Sequence, residues 1–161
     1  MPSFVETPTD DPVSAALLDE YFTSRELGFV SPDGRSYLRA GPDPARFVRP
    51  AGVFVLVRDG DEAVGCGGVR MLSPTRGELK HIWLQPRTRG RGWGRALLVE
   101  LERLAADLGA TEVVLDTNSS LEAAGHLYRS SGYRSIEPYN DNPNATDWFG
   151  KALVSRRSSD G

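Results

Sequence analysis

The stretch GELKHIWLQPRTRGRGWGRALL, residues 77–98, decides the fold. Residues 78–84 are rich in apolar and aromatic side chains and stop before Gln85-Pro86, which predicts a strand. Residues 87–95 form a basic, glycine-rich loop, and a helix is predicted directly after it. Glycines let backbone N–H groups approach an anion, and a helix N-terminus adds positive potential. The order of strand, loop and helix therefore predicts a phosphate-binding site.

The spacing of the glycines excludes two common phosphate loops. A Walker loop needs Gly, four residues and then Gly-Lys-Ser/Thr, and the sequence contains no such run. The dinucleotide fingerprint G-x-G-x-x-G lacks its third glycine whether it is started at Gly90 or at Gly92. The pattern that fits is Arg89-x-x-Gly92-x-Gly94.

The composition is that of an ordinary globular protein. The 161 residues are 25% charged and 39% hydrophobic, which predicts one domain over residues 1–161 with a disordered tail from about residue 155. The net charge of −3 argues against general nucleic-acid binding. The basic residues cluster in one loop instead, as a local anion site requires. No secretory signal or membrane-length apolar run is present, so we expect a cytoplasmic protein that does not bind membranes.

Hydrophobic periodicity predicts a mixed α/β fold. Strands are predicted at residues 3–7, 53–57, 63–72, 78–84, 112–117, 133–136 and 145–154, and helices at 12–28, 93–108 and 121–131. Residues 29–50 are rich in Pro, Gly and Asp and are predicted to form a long loop. The glycines at 65, 67 and 68 predict a bulge or a close backbone approach. The crossover from strand 78–84 through helix 93–108 to strand 112–117 predicts a right-handed βαβ unit.

Two motifs carry a resemblance to a known family. Arg89-x-x-Gly92-x-Gly94 resembles the R/Q-x-x-G-x-G/A signature of the GNAT acetyltransferases, which binds the pyrophosphate of acetyl-CoA. Residues 124–133 match the second motif of that family, A-x-x-L-Y-x-x-x-G-F/Y, at every fixed position. The resemblance covers residues 52–154 and implies the GNAT acyl-CoA acyltransferase fold. That fold has a central, mostly antiparallel sheet with a βαβ core that binds acetyl-CoA.

The resemblance also implies a reaction and a set of ligand contacts. It implies an N-acetyltransferase that moves the acetyl group of acetyl-CoA to an amine by direct attack in a ternary complex, with no metal. An Asn often stands where this chain has Leu121, so Asn118 is expected to take over that cofactor contact. The residues expected to contact acetyl-CoA are Ile82, Trp83, Leu84, Arg89, Gly90, Arg91, Gly92, Trp93, Gly94, Arg95, Asn118 and Tyr128.

Acetyl transfer to an amine needs a base, an acid and an oxyanion site. A lysine-like amine has a pKa near 10.4 and is protonated at pH 7, so a base is useful. Glu78 stands eleven residues before Arg89, where the histone-acetylating branch of the family has its general base, and it inherits that hypothesis. His81 is the alternative base, although a structural role is favoured for it. Tyr128 is the general acid that the second motif implies, and the backbone near Trp83 is the expected oxyanion site.

The acceptor is not specified by any motif. The sequence leaves open whether the acceptor is a small molecule, such as an amine or amino acid, or a protein amine. It also leaves open whether the protein is a monomer or a homodimer. The polar loop Tyr139, Asn140, Asp141 and Asn142 and the helix residues Tyr21 and Arg25 are candidate acceptor contacts. An acyl-cysteine route through Cys66, the single cysteine, is disfavoured because a lone buried cysteine usually behaves as a small hydrophobe. The alternative function is a non-catalytic acyl-CoA-binding regulatory protein.

Overall fold

A seven-stranded sheet in the order β1-β2-β3-β4-β5-β7-β6 forms the centre of the molecule in this computed structural model, which describes residues 1–29 and 33–154. The strands are β1 (Ser3–Glu6), β2 (Gly52–Asp59), β3 (Glu62–Met71), β4 (Arg76–Leu84), β5 (Glu112–Thr117), β6 (Arg134–Ser135) and β7 (Asp147–Ala152). The helices are α1 (Pro12–Gly28), α2 (Trp93–Asp107) and α3 (Glu122–Ser130). The predicted mixed α/β fold is confirmed, and the tail predicted from residue 155 lies outside the described residues.

Strands β1 to β4 form an antiparallel meander, and β4 then pairs in parallel with β5. Helix α2 makes the crossover between β4 and β5, so the predicted βαβ unit is present. The apolar stripe of α2 is buried against the sheet because its residues recur every three to four positions. Its buried members are Trp93, Leu97, Leu98, Leu101, Leu104 and Ala105.

Helix α1 covers the opposite face of the meander. Asp11 caps its first turn by accepting a hydrogen bond from the backbone N–H of Val13 at 2.9 Å. A second apolar cluster lies beneath α1 and is separate from the cluster under α2. Its buried members are Leu17, Leu18, Tyr21, Phe22, Phe47, Phe54, Leu56 and Cys66.

The segment predicted as one long loop contains a short 3₁₀ turn at Pro44–Phe47. The prediction missed this turn because four residues are too few for a periodic signal. The turn directs Phe47 into the core under α1, where a Cβ atom at Gly68 would lie only 2.8 Å from the Phe47 ring. The close backbone approach predicted for the β3 glycines is therefore confirmed. The last two strands are shorter than predicted, at two and six residues.

The parallel pairing of β4 with β5 is short. It consists of three pairs that end at Glu78 and Val114, although both strands continue beyond this point. Residues 79–84 of β4 therefore have no strand partner on the side of β5. No helix in the described ranges has the length and apolar character that a membrane crossing requires.

Candidate active site

A gap between β4 and β5 opens where their pairing ends. A bulge in β4 lies at the same level, because His81 and Ile82 both stand opposite Gly67 of β3. His81 adopts a positive φ of 57° to make this bulge. The gap holds a small cavity of about 20 Å³. Its walls are formed by Tyr21, Arg25, Leu79, Lys80, His81, Ile82, Leu115, Asp116 and Tyr128.

Tyr128 of α3 lies on the wall of this gap. Its ring packs against Tyr133 and Phe149, with centroid separations of 5.9 and 6.0 Å. Its hydroxyl makes no hydrogen bond within residues 1–29 and 33–154. Burial raises the pKa of Tyr128 to about 12, while the positive charge of Arg25 acts in the opposite direction. At neutral pH the hydroxyl therefore keeps the proton that a general acid must supply.

The glycine-rich loop lies between β4 and α2. Gly90 and Gly92 have φ values of 78° and 75°, the left-handed region that favours glycine, and Gly92 is the residue before the first turn of α2. Among the described residues, no group accepts a hydrogen bond from the backbone N–H groups of Gly90, Arg91 and Gly92. A Cβ atom at Gly94 would lie 2.9 Å from Leu127 Cδ2, so this glycine lets α2 approach α3 closely. These three unbonded N–H groups are donors that an anion in the loop would accept from.

The four arginines of the loop have different surroundings. Arg87 pairs with Glu62 at 2.6 Å, and Arg91 lies 3.5 Å from Asp59 with its guanidinium over the Trp93 ring. Arg95 donates hydrogen bonds to the carbonyl oxygen and the hydroxyl of Ser130 and to the hydroxyl of Ser131, at the end of α3. Arg89 is exposed and has no side-chain partner in the described part of the chain. Arg89 is thus the loop arginine most available to a phosphate.

The remaining residues expected to contact acetyl-CoA lie in different places, and of them Ile82 lines the gap. Ile82, Trp83 and Leu84 form the last part of β4, beyond its pairing with β5. Trp93 is buried in the core under α2. Asn118 uses its side chain internally, since it donates to the Asn144 carbonyl oxygen at 3.0 Å and accepts from the Ser120 N–H at 2.9 Å. Contact of each of these residues with acetyl-CoA stays a prediction.

A larger cavity of about 420 Å³ adjoins the gap, and we call it the acceptor cavity. Asn144 ties its two flanking loops together, since its side-chain amide bonds both the N–H and the carbonyl oxygen of Leu38, at 3.0 and 2.8 Å. The cavity is lined by α1 and Phe29, the segment 37–43, Arg70 of β3, the middle of β4, the end of β5 with residues 118–121, and the polar loop 140–145. The predicted contacts Tyr21, Arg25, Asn140, Asp141 and Asn142 all lie on its wall.

Glu78 is fully buried and does not line the acceptor cavity. Its Oε1 accepts a hydrogen bond of 2.6 Å from Arg70 Nε, and its Oε2 accepts one of 2.6 Å from the Tyr139 hydroxyl. Arg70 itself reaches the cavity wall. In this arrangement Glu78 neutralises a cavity arginine and fixes the start of the polar loop. Its predicted role as the base stays a prediction.

His81 and Cys66 lie in apolar surroundings. The His81 ring packs edge-on against Tyr21 and Phe22 at 5.5 and 5.7 Å, and burial lowers the pKa of His81 to about 3. The imidazole is therefore neutral at pH 7 and a weak base. Cys66 is fully buried, and burial raises the pKa of its thiol. Both features agree with the structural roles favoured from the sequence.

Asp116 was not singled out from the sequence, yet it lines both the gap and the acceptor cavity. Its carboxylate accepts a hydrogen bond of 2.7 Å from Asn140 Nδ2 and lies 3.8 Å from Lys80 Nζ. The Trp148 indole N–H donates to Asn140 Oδ1, which fixes the orientation of that amide. The available signal was position, because residues at the carboxyl ends of parallel strands commonly line ligand sites.

Known proteins share this sequence pattern and fold. The sequence model of the Acetyltransferase (GNAT) family matches residues 15–133. An IAA acetyltransferase of Azospirillum brasilense is 30% identical over 83% of this chain and 84% of its own. An uncharacterized N-acetyltransferase of Schizosaccharomyces pombe is 35% identical over 58% of this chain, but the match spans only 59% of that protein.

The structural comparison gives the same result. The structure of an acyl-CoA N-acyltransferase from Klebsiella pneumoniae has a TM-score of 0.76 at 25% identity, and the match covers 96% of this chain and 99% of that one. The gap between the two strands of the βαβ unit and the unbonded N–H groups of the loop agree with this likeness. The chain belongs to the GNAT family of acetyltransferases.

Proposed function

We propose that this protein is an N-acetyltransferase that transfers the acetyl group of acetyl-CoA to an amine by direct attack in a ternary complex. One observation carries the proposal: the gap between β4 and β5 shares wall residues with the acceptor cavity, and Tyr128, whose hydroxyl has no partner among the described residues, lines that gap. A donor in the gap and an amine in the cavity would therefore meet at the level of Tyr128 and Asp116.

The loop supplies the binding energy for the donor in this proposal. The unpaired N–H groups of residues 90–92 and the side chain of Arg89 would hold the pyrophosphate, and the unpaired edge of β4 would hold the pantetheine arm. Acetyl-CoA supplies the activated acetyl group when bound. Backbone N–H groups near Trp83 are the proposed oxyanion site.

The proton transfers are assigned to two side chains. Asp116 receives the proton of the amine as the new N–C bond forms, because its carboxylate borders both cavities. Tyr128 gives its proton to the sulfur as the C–S bond breaks. Glu78 remains the alternative base, with a proton path that would have to pass through Arg70 or Tyr139.

Titration calorimetry with acetyl-CoA, followed by a thiol-release assay over a panel of amines, tests the proposal. We expect acetyl-CoA to bind and NADH and ATP not to bind, and at least one amine to release CoA. Binding without turnover of any amine would favour the non-catalytic regulatory alternative. Absence of acetyl-CoA binding would refute the central claim.

The variant Asp116→Asn separates the two candidate bases. It keeps the size of the side chain and the hydrogen bond with Asn140 but removes the charge 3.8 Å from Lys80, so we expect a small loss of stability and kcat is measured well below the melting temperature. The value of kcat should fall by about 10²-fold or more, the usual contribution of a positioned base. A kcat close to that of the unmodified protein would move the base role to Glu78.

A further inference from the structure

Arg25 differs from the other basic side chains of the acceptor cavity. Arg70 pairs with Glu78, and Lys80 lies 3.8 Å from Asp116. Arg25 has no carboxylate partner in the part of the chain that the structure describes. Asp43 and Asp141 also line the cavity, but among the described residues neither forms an ion pair with Arg25.

The surroundings of Arg25 are aromatic and partly closed to solvent. Its guanidinium lies 5.2 Å from the centroid of the Tyr21 ring, and the Arg25 side chain is partly buried. The groups that act on it are the hydroxyl of Tyr21, which accepts a hydrogen bond from the guanidinium, and the hydroxyls of Tyr37 and Tyr128, none of which is a carboxylate. A partly desolvated guanidinium gains most from a carboxylate or phosphate that accepts two parallel hydrogen bonds. An anionic group on the ligand would complete this site.

Arg25 lies near the proposed reaction centre, so an anionic group of the ligand that binds Arg25 would also lie near it. Arg25 and Asp116 both line the gap and the acceptor cavity. Asp116 is the buried carboxylate available to an ammonium group there, with 7% of its side chain exposed. A ligand that satisfied both residues would carry a cation and an anion a few bonds apart.

The size and lining of the cavity limit the rest of the ligand. A volume of about 420 Å³ suits a single small molecule, at the low end of ordinary ligand sites. Phe22, Phe29 and Tyr37 give one wall an apolar, aromatic character, and the last two rings meet edge to face at 5.5 Å. This wall favours an apolar substituent over a charged one.

We propose that the acceptor is a small amine that also carries a carboxylate, such as a free amino acid with an apolar side chain. Arg25 binds the carboxylate and Asp116 binds the ammonium group. This inference rests on the proposed N-acetyltransferase function, because it names the substrate class of the same site.

The test compares matched acceptors in the thiol-release assay. L-leucine and L-phenylalanine are each compared with their amides and with the amines that lack the carboxyl group. We expect kcat/KM to be about 10- to 100-fold higher for the amino acids, the factor expected for a hydrogen bond to a charged group. Arg25→Met should remove this preference mainly through KM, and Arg25→Lys should retain part of it. Arg58→Met, on the β2–β3 hairpin, is the matched control.

Separate measurements distinguish this inference from the proposed function. Acetyl-CoA affinity, measured by calorimetry, should be the same for Arg25→Met as for the unmodified protein. Equal rates with acids and amides, or a preference that survives Arg25→Met, would overturn the inference and leave the acetyltransferase proposal standing. A loss of acetyl-CoA affinity in Arg25→Met would assign Arg25 to the donor and also overturn it.

A binding measurement covers the case in which no amine reacts. N-acetyl-leucine and its amide are then titrated into the protein with CoA, and the melting temperature is recorded. A stabilisation by the acid alone that Arg25→Met abolishes would support the carboxylate site without turnover. No stabilisation by either compound would refute it.

Discussion

Tyr139 donates a hydrogen bond of 2.6 Å to Oε2 of Glu78, across 61 residues of sequence. The same carboxylate accepts a hydrogen bond from Arg70 through its other oxygen. Burial and the neighbouring Glu78 charge raise the pKa of Tyr139, so the phenol keeps its proton and remains a donor. This pair connects β4 to the polar loop that lines the acceptor cavity.

Glu78→Gln should destabilise the protein more than it slows the reaction. The variant removes a buried charge that serves two donors, and we expect a loss of about 1.5–3 kcal/mol, the range for hydrogen bonds to charged groups. Arg70 is partly exposed and can turn towards water, which limits the cost. Urea unfolding measures the free energy, and kcat is measured well below the melting temperature.

Tyr139→Phe is the control for this prediction, because it removes one donor and no charge. We expect a loss of similar size, about 1.5–3 kcal/mol, because one oxygen of the buried carboxylate is left without a donor, and an unchanged kcat. An unchanged unfolding free energy in Glu78→Gln together with a kcat reduced by about 10²-fold would identify Glu78 as the general base.

Tyr128→Phe should reduce kcat by about 10²-fold while the affinity for acetyl-CoA stays nearly the same. The reason is that the hydroxyl lines the gap without a protein partner, whereas the ring supplies the packing. Tyr133→Phe is the matched control, since its hydroxyl instead donates to Glu102 Oε2 at 2.8 Å. That variant should lose stability and keep kcat. Equal kcat values for the two variants would contradict the acid role.

Gly92→Ala should weaken acetyl-CoA binding. Gly92 has a φ of 75°, where an L-residue is strained by about 1–2 kcal/mol, and a methyl group there would crowd an anion at the loop. Gly60→Ala is a matched control because Gly60 has a φ of 60°, equally open surroundings and a place in the β2–β3 turn. Both variants should lose similar stability, and only Gly92→Ala should raise the Kd in calorimetry. A similar Kd for both would argue against the loop as the anion site.

The protein should lose stability in mild acid because of His81. Its pKa is about 3 in the folded protein and near 6.5 in an unfolded chain, so between these values only the unfolded state binds the proton. The free energy of unfolding therefore falls as the pH is lowered from 6.5 towards 3, by at most about 1.4 kcal/mol per pH unit.

Two asparagine variants check the pH dependence. His81→Asn tolerates the positive φ and cannot titrate, so it should flatten the curve of unfolding free energy between pH 7.5 and 5. His126→Asn, on the exposed face of α3, should leave the curve as it is. The same slope in His81→Asn and the unmodified protein would show that other groups cause the acid sensitivity.

The sequence by itself determined the order of the helices and strands and the place of the glycine-rich loop between β4 and α2. Local patterns suffice for these features, because helical periodicity, strand alternation and glycine spacing are written in consecutive residues. The apolar stripe of α2 and the helix that carries Tyr128 were predicted in this way, and the structure has both within one residue of the predicted bounds.

The tertiary structure decided which charged groups meet. Glu78 appeared on a strand as a free carboxylate, but residues 8 and 61 positions away occupy both of its oxygens. Asp116 was marked only by its place at the end of a parallel strand, and Arg25 only as one candidate contact on a helix. The packing of α1 beside the open ends of the β4–β5 pairing brings both to one cavity. Partners distant in sequence leave no periodic trace, because their contact depends on how the sheet and α1 pack rather than on neighbouring residues.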